Sequence, residues 1–390
     1  MCGVTKSIIR VAERECRILR KNRVYFSFMV VVPIIVMFFF TSLMGDGQPT
    51  DMPVGLVDND NTTTTRALAR KLDAFQSSKI TNKYASVSEA RNGIQRNEIY
   101  AFLYIPKGTT EKLMSMRQPK ISFYYSSTSL TAGSLLYKDL KTISTLGSAA
   151  AASSTLSAKG LTGRQISEFL QPIAIDTHLI NNPAANYSVY LNNMIIPGCI
   201  MLFIFLLTAY SIGTEVKFNT AKEWLATADG SILSAITGKL LPQTLVFLLI
   251  VYAYMFYVFA FLEFPHAGGV PYMLMLGLLT VVSAQGLGVF AYGLAPSLRM
   301  SMSICSLWAV LSFSLAGTAF PVSAMDSELK TISSLFPLRH YYMVYQLNIF
   351  NGYPLSFSWL HCVALALFAI LPLLVIGRLK KAVIENSYMP

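Results

Sequence analysis

Val24-Tyr-Phe-Ser-Phe-Met-Val-Val-Val-Pro-Ile-Ile-Val-Met-Phe-Phe-Phe-Thr-Ser-Leu-Met44 carries no charge in 21 residues, and Gly45-Asp-Gly-Gln-Pro-Thr-Asp51 ends it abruptly. An apolar run of about 18 residues or more reads as a membrane-spanning helix. After this one the chain stays polar for about 140 residues, and five further runs then follow, at 189–213, 240–262, 271–295, 302–322 and 359–377. Each suits a hydrocarbon core roughly 30 Å thick. The expected architecture is an α-helical integral membrane protein with six transmembrane helices. An α/β extracytoplasmic domain at 45–187 is inserted after the first helix, 24–44. A five-helix membrane domain follows at 188–378, then a tail at 379–390.

Composition supports this reading. Of 390 residues, 53% are hydrophobic and 13% charged, against about a quarter charged in soluble domains. The net charge of +11 does not point to nucleic acid, because of where it lies. Lys6, Arg10, Arg14, Arg17, Arg20, Lys21 and Arg23 precede the first run, and Arg378, Lys380 and Lys381 follow the last. Basic flanks mark the cytoplasmic side, so both termini are expected in the cytoplasm, in the inner membrane of a bacterium. The run at 24–44 is too long for a signal-peptide core and reads as an uncleaved anchor. None of the five cysteines lies in the exterior segment, so no disulfide is expected there.

Residues 1–23 are expected to form an amphipathic interfacial helix. Val4, Ile8, Ile9, Val11, Ala12, Cys16, Ile18 and Leu19 fill one half-circle and the cations fill the other. Such a helix lies in the headgroup region with its apolar face down. Glu15 alone breaks the pattern. In the exterior segment short apolar runs at 54–58, 79–84, 99–105 and 121–125 read as strands. Stretches at 65–75, 86–96, 131–156 and 160–171 read as helices, and 173–180 leads back to the membrane. Strands alternating with helices imply a compact α/β domain. Between the second and third runs, 214–228 is expected to form a short amphipathic cytoplasmic helix with aromatic anchors. Residues near 323–356 are expected to form an exterior helical hairpin broken at Pro337.

Chemistry is sparse. No phosphate-binding G-x-x-x-x-G-K-[ST] and no H-E-x-x-H occurs, and the four histidines are scattered. No Asp or Glu falls inside the six apolar runs, which weakens an ion-coupled carrier. The chain is therefore expected to be no enzyme and to hold no cofactor; any energy source belongs to another subunit. Lys239, at the head of the third run, reads as a lysine snorkelling to the surface. Tyr252, Tyr254 and Tyr257 read as an interfacial belt. Gly286, Gly288 and Gly293 in the fourth run, with the serines of the fifth, read as close helix packing. Pro33 and Pro197 read as kinks.

The order of these elements resembles a membrane subunit of the ABC type-2 exporter family, in the subgroup with a large insert after the first span. Val54-Gly-Leu-Val-Asp58 resembles the first strand of that family's exterior domain, and Ala101-Phe-Leu-Tyr-Ile-Pro106 its later strand-and-proline segment. Glu215 to Thr227 followed by Gly238-Lys239 resembles its cytoplasmic coupling segment. Asn219-Thr220 stands where members often carry Gly-Thr, and Trp224-Leu-Ala-Thr-Ala228 stands for a Leu-Leu-x-Thr-Pro-like run. Phe320-Pro321, Met325, Leu335-Phe-Pro337 and Tyr341-Tyr342 resemble its exterior hairpin. The resemblance implies a permease that pairs with a second copy or a related permease and moves a small molecule, lipid or peptide outward. It is driven by a cytoplasmic ABC ATPase dimer, which holds the ATP and Mg, and the exterior domain is expected either to dock a periplasmic adaptor protein or to shape an outward exit. Coupling is expected at Glu215, Glu223, Trp224 and Leu225, and the translocation route at Ser306, Ser314, Phe320 and Pro321. The alternative is a non-transporting receptor or scaffold whose exterior domain binds a ligand or envelope partner.

Overall fold

The computed structural model describes residues 2–115, 117–170, 178, 182 and 185–385. The expected return strand at 173–180 lies outside the described residues. The chain divides into two units, Met1–Gly45 with Leu179–Pro390, and Asp46–His178.

The first unit holds six helices long and apolar enough to cross a membrane: Arg23–Leu43, Tyr187–Lys217, Ile232–Phe261, Val270–Leu294, Leu298–Leu315 and Trp359–Glu385, called spans one to six. Spans two and three continue past their apolar runs at the ends that the segment between them joins. They therefore carry Glu215 and Lys239 inside regular helix but outside the apolar runs, which hold no Asp or Glu. Spans two and four are the most enclosed within the unit, while spans one, five and six present most of their surface outward. Before Pro33 the backbone widens into a π-helical stretch, Ser27–Val31, and Pro33 then opens the regular helix Val32–Leu43. That local widening accommodates a residue with no N–H to donate. Pro197 stays inside span two.

The tyrosines of span three are not a belt. Tyr254 is buried and donates its hydroxyl to the Asn192 carbonyl at 3.1 Å, and Tyr252 donates to the Leu274 carbonyl at 2.9 Å. Their hydroxyls join helices instead of facing headgroups. In the hairpin, Pro337 does not break a helix but begins one, Pro337–Val344, as its fixed φ and missing N–H favour. Arg339 there donates to the carbonyl of Ala316, at the end of span five, at 3.0 Å. His340 meets His361 of span six, Nδ1 to Nδ1 at 2.9 Å. Two of the scattered histidines thus tie the hairpin to its neighbour.

The second unit is a three-layer α/β domain. Strands β1 (Met52–Asp58), β2 (Ser78–Lys83), β3 (Ala101–Ile105) and β4 (Ser122–Tyr125) stand in the order β2-β1-β3-β4. The first three are parallel and β4 is antiparallel to β3. Parallel neighbours need crossovers, supplied by helices Thr63–Asp73 and Val87–Gln95. Alternation along the strands divides the core into two. Val54, Leu56, Leu103 and Ile105 pack with Leu72, Leu136, Leu140 and Ile143 on one face. Val57 and Phe102 pack with Ala90 and Ile99 on the other. Ser86 caps the second crossover helix by accepting the Glu89 N–H, as the capping signal predicts.

One helix, Thr109–Met114, has no counterpart in the sequence reading. Its first turn is fixed from a distance: Asp60 accepts the backbone N–H of Gly108 at 2.7 Å and of Thr110 at 2.9 Å, and the Thr110 hydroxyl at 2.6 Å. These bonds, the Thr110 hydroxyl's foremost, hold the Asp60 carboxyl below its ordinary pKa.

Candidate functional site

The site lies where the N-terminal helix Cys2–Lys21 meets spans two and three. Ser7, Val11 and Glu15 fall at intervals of four along that helix, and all three are buried. Their line packs on the start of span three. A Cβ at Gly238 would lie 2.7 Å from the Ile8 carbonyl oxygen and 2.7 Å from the Val11 Cβ, so glycine there lets the helices touch. The face expected to meet lipid is in large part covered by protein. Val4 and Ile9 remain outside the contact, 58% and 50% exposed.

Glu15 is therefore no defect in an apolar face. It is the partner of Lys239, which sits one residue beyond Gly238. The Lys239 Nζ lies 2.7 Å from Glu15 Oε2 and 2.7 Å from Glu215 Oε1. Glu15 Oε1 also accepts the Gln243 amide at 2.9 Å. Glu215 accepts both terminal N–H groups of Arg14, at 2.6 and 2.9 Å, and the hydroxyl of Thr220. Glu15, Lys239 and Glu215 are 0%, 1% and 3% exposed. Lys239 does not snorkel, because two carboxylates meet it where it is. Two cations and two carboxylates leave the cluster neutral, the condition under which buried charges are tolerated. The paired Arg14–Glu215 bonds have the strong, directional geometry of a guanidinium fork. Burial works against the charged form of Arg14. Glu215 first, then Glu223 and Glu15, outweigh it and hold its pKa above the ordinary value.

The segment between spans two and three is bound to the same cluster. Its helix, Ala221–Thr227, places Trp224 fully inside. The indole donates Nε1–H to the Ala235 carbonyl at 3.2 Å, and the Lys239 ammonium sits 5.2 Å from the ring centroid, within cation–π range. Beyond the helix, Asp229 accepts the Ser7 hydroxyl and pairs with Arg10 at 2.6 Å. Those two bonds, from Ser7 and then Arg10, hold its carboxyl below the ordinary pKa. The N-terminal helix, the segment and two spans thus form one hydrogen-bonded block.

Of the four expected coupling residues, Glu215 and Trp224 are interior and Leu225 is half-buried. Glu223 is on the surface, its side chain 73% exposed and 3.7 Å from Arg14 Nε. Phe218, one of the aromatic anchors expected in this segment, follows span two and is 64% exposed. It lines a cleft of about 660 Å³ with Arg10, Arg14, Arg17, Lys21 and Glu223. The missed cluster left a signal: an acid on the apolar face of one helix, and a cation at the head of an apolar run.

The expected route residues gather elsewhere. Ser306 is half-buried and returns its hydroxyl to the Met302 carbonyl at 2.9 Å. Ser314, Phe320 and Pro321 are exposed on span five and the turn after it. Among the described residues no group of three or more His, Cys, Asp or Glu side chains is placed to hold a metal.

Six apolar helices, a sheet domain inserted after the first, and a charge-knit block joining the N-terminal helix to spans two and three define a multi-pass membrane protein. Residues 23–378 match the family model described as "ABC-2 family transporter protein", and the chain belongs to that family. No curated protein matches it.

Proposed function

We propose that the chain is the permease of an ATP-driven exporter, moving its cargo outward with a separate ATPase subunit and a second permease copy or a related permease. The observation carrying this reading is the block built on Lys239. A force applied to the cytoplasmic segment meets no soft joint before it reaches spans two and three, because Trp224 meets Lys239 and Lys239 meets Glu215. A receptor has no need of such a stiff cytoplasmic linkage. The ATPase docks at the cleft beside it, through Phe218 and Glu223, with Trp224 holding the surface in shape from within. Span five, open along most of its length, supplies Ser306 and Ser314 to a route that a second subunit closes. Phe320 and Pro321 stand at its outer end.

The docking assignment is testable by co-purifying and reconstituting the chain with its cognate cytoplasmic ABC ATPase, identified by pull-down. Exposed aromatic anchors commonly carry about 2 kcal/mol or more of an interface. Phe218→Ala should therefore cut ATPase recovery and transport-linked ATP turnover by more than roughly tenfold, with the permease's thermal stability unchanged. Glu223→Lys should weaken recovery as well. Normal recovery and turnover in both variants would place the ATPase elsewhere.

Orientation follows from the basic flanks. With native cysteines replaced, Ser127→Cys in the sheet domain should react with an impermeant thiol reagent on intact cells. Lys222→Cys should react only after the membrane is opened. Labelling of Lys222→Cys from outside would invert the topology.

A further inference from the structure

The sheet domain contains a cavity that the transport reading does not use. It encloses about 640 Å³ between helix Thr63–Asp73, the segment leading into β4, and the long helix Leu130–Ala158. That volume lies in the range of small-molecule sites, about 300–1,000 Å³.

Its shape has a clear origin in the sequence. The first half of the long helix closes the core with Leu136, Leu140 and Ile143, each 2% exposed or less. The helix then continues over the same sheet face with small side chains, Ser144, Gly147, Ser148 and Ala150. At the closest approach a Cβ on Gly147 would meet Leu68 Cδ1 at an ordinary 3.6 Å, so only the missing side chain keeps that space open. The floor is apolar, with Leu68, Leu103, Ile121 and Phe123 facing in. Leu113 and Leu146 stand at the edge, 38% and 54% exposed.

The lining is one-sided in charge. It includes Lys71 and Lys120, both exposed, and no Asp or Glu among the described residues. Three neighbouring carboxylates are engaged outside the lining: Asp58 accepts the Thr65 hydroxyl at 2.7 Å, Asp60 holds the start of helix Thr109–Met114, and Asp139 accepts the Ser77 hydroxyl at 2.8 Å. Threonine and serine hydroxyls complete the rim. An apolar trough with cations and no acids at its mouth suits a molecule with a hydrocarbon body and a negative head.

We propose that this cavity is a binding site for an anionic single-chain amphiphile of the fatty-acid type. The acyl chain lies along Leu68, Leu103, Phe123 and Ile143, and the head reaches Lys71 or Lys120. The proposal stands independently of the export reading, since it concerns the exterior domain alone.

The test uses the full chain in lipid nanodiscs with a diazirine-bearing palmitic acid, followed by peptide mapping of the photo-adducts. Adducts are expected in residues 64–71, 118–123 and 140–150, competed away by unlabelled palmitate. Adducts in the spans, which meet bilayer-dissolved probe, report equal loading and folding in every sample. Ser144→Trp, on the exposed rim, fills the mouth without touching the core. It should lower the cavity adducts by roughly tenfold, the loss expected from excluding about two methylenes, and leave the span adducts unchanged. Lys71→Glu with Lys120→Glu should lower palmitate adducts several-fold and leave those of an uncharged diazirine hexadecanol unchanged. Cavity adducts no more abundant than those on helix Val87–Gln95, across the sheet, would overturn the proposal. So would adducts indifferent to Ser144→Trp. Loss of both probes' adducts alike in the lysine variant would remove the anionic head from it.

Discussion

Lys239→Met should be among the most damaging single substitutions in this chain. It leaves Glu15 and Glu215 with no ammonium between them and the buried cluster with a net charge of −1. Glu15 would keep only the Gln243 amide, while Glu215 would keep Arg14 and Thr220. Removing one partner from a buried pair costs about 3–5 kcal/mol, because the other charge stays behind unpaired. That is a large part of the stability of most folded domains. Little folded protein should be recovered, and its thermal transition should fall sharply. Glu15→Gln alone strands a positive charge and should also be harmful. The double variant removes one charge of each sign and spares the Arg14–Glu215 fork. It should regain most of the stability lost by Lys239→Met. This rescue distinguishes electrostatic coupling from mere crowding, since a double-mutant cycle isolates the pairwise interaction. A double variant no more stable than the worse single would show that the three side chains do not act together. Transport should respond differently. The double variant lacks the ammonium under Trp224 and the ion pair that ties span three to the N-terminal helix, so it should fold yet couple ATP turnover to transport poorly.

The fold was legible because its main signals are local. An uncharged run of membrane length needs no distant partner to be read, and the strands of the sheet domain announce themselves by alternation between turn residues. Val54 and Leu56 face one core and Val57 the other, as a period of two requires. Helix Thr109–Met114 was not legible because its cap, Asp60, lies about fifty residues away in sequence, and its own six residues have no apolar stripe. The charged block was hidden for the same reason. Arg14 and Glu215 are 201 positions apart, and Lys239 and Glu15 are 224. Taken singly, Arg14 is a basic flank, Glu15 a flaw and Lys239 a snorkelling cation; only the fold reveals that they neutralise one another. Trp224, expected as an outward anchor, faces inward instead. An aromatic residue in an amphipathic helix has an inner and an outer option, and helical period alone does not decide which side is covered.

The glycines of span four offer the complementary case, in which the unadorned reading of small residues as packing sites yields a severe and specific prediction. A Cβ at Gly286 would stand 2.2 Å from the carbonyl oxygen of Phe368 and 2.7 Å from the Cα of Ala369, both backbone atoms of span six. Seven residues on, a Cβ at Gly293 would stand 2.4 Å from Val375 Cγ2, again seven residues on in span six. The matching steps show two helices running side by side in the same direction, with glycine where they touch. Gly288 points elsewhere, with its Cβ position 2.8 Å from Thr208 Cβ of span two. Side chains can turn aside, but backbone cannot, so Gly286→Leu must drive spans four and six apart. Overpacking typically costs about 1–3 kcal/mol and more where nothing can yield. Here the loss also strips dispersion contacts that in a bilayer have no hydrophobic effect behind them. The variant should aggregate or run as a broad species on size exclusion, and spans four and six should become separately accessible to protease. Gly377→Leu, in span six with nothing within 4 Å of its Cβ position, is the matched control and should behave as the parent protein does. A monodisperse Gly286→Leu protein with an unshifted thermal transition would mean that spans four and six do not meet backbone to backbone. In that case the small residues of span four would be free to line a passage.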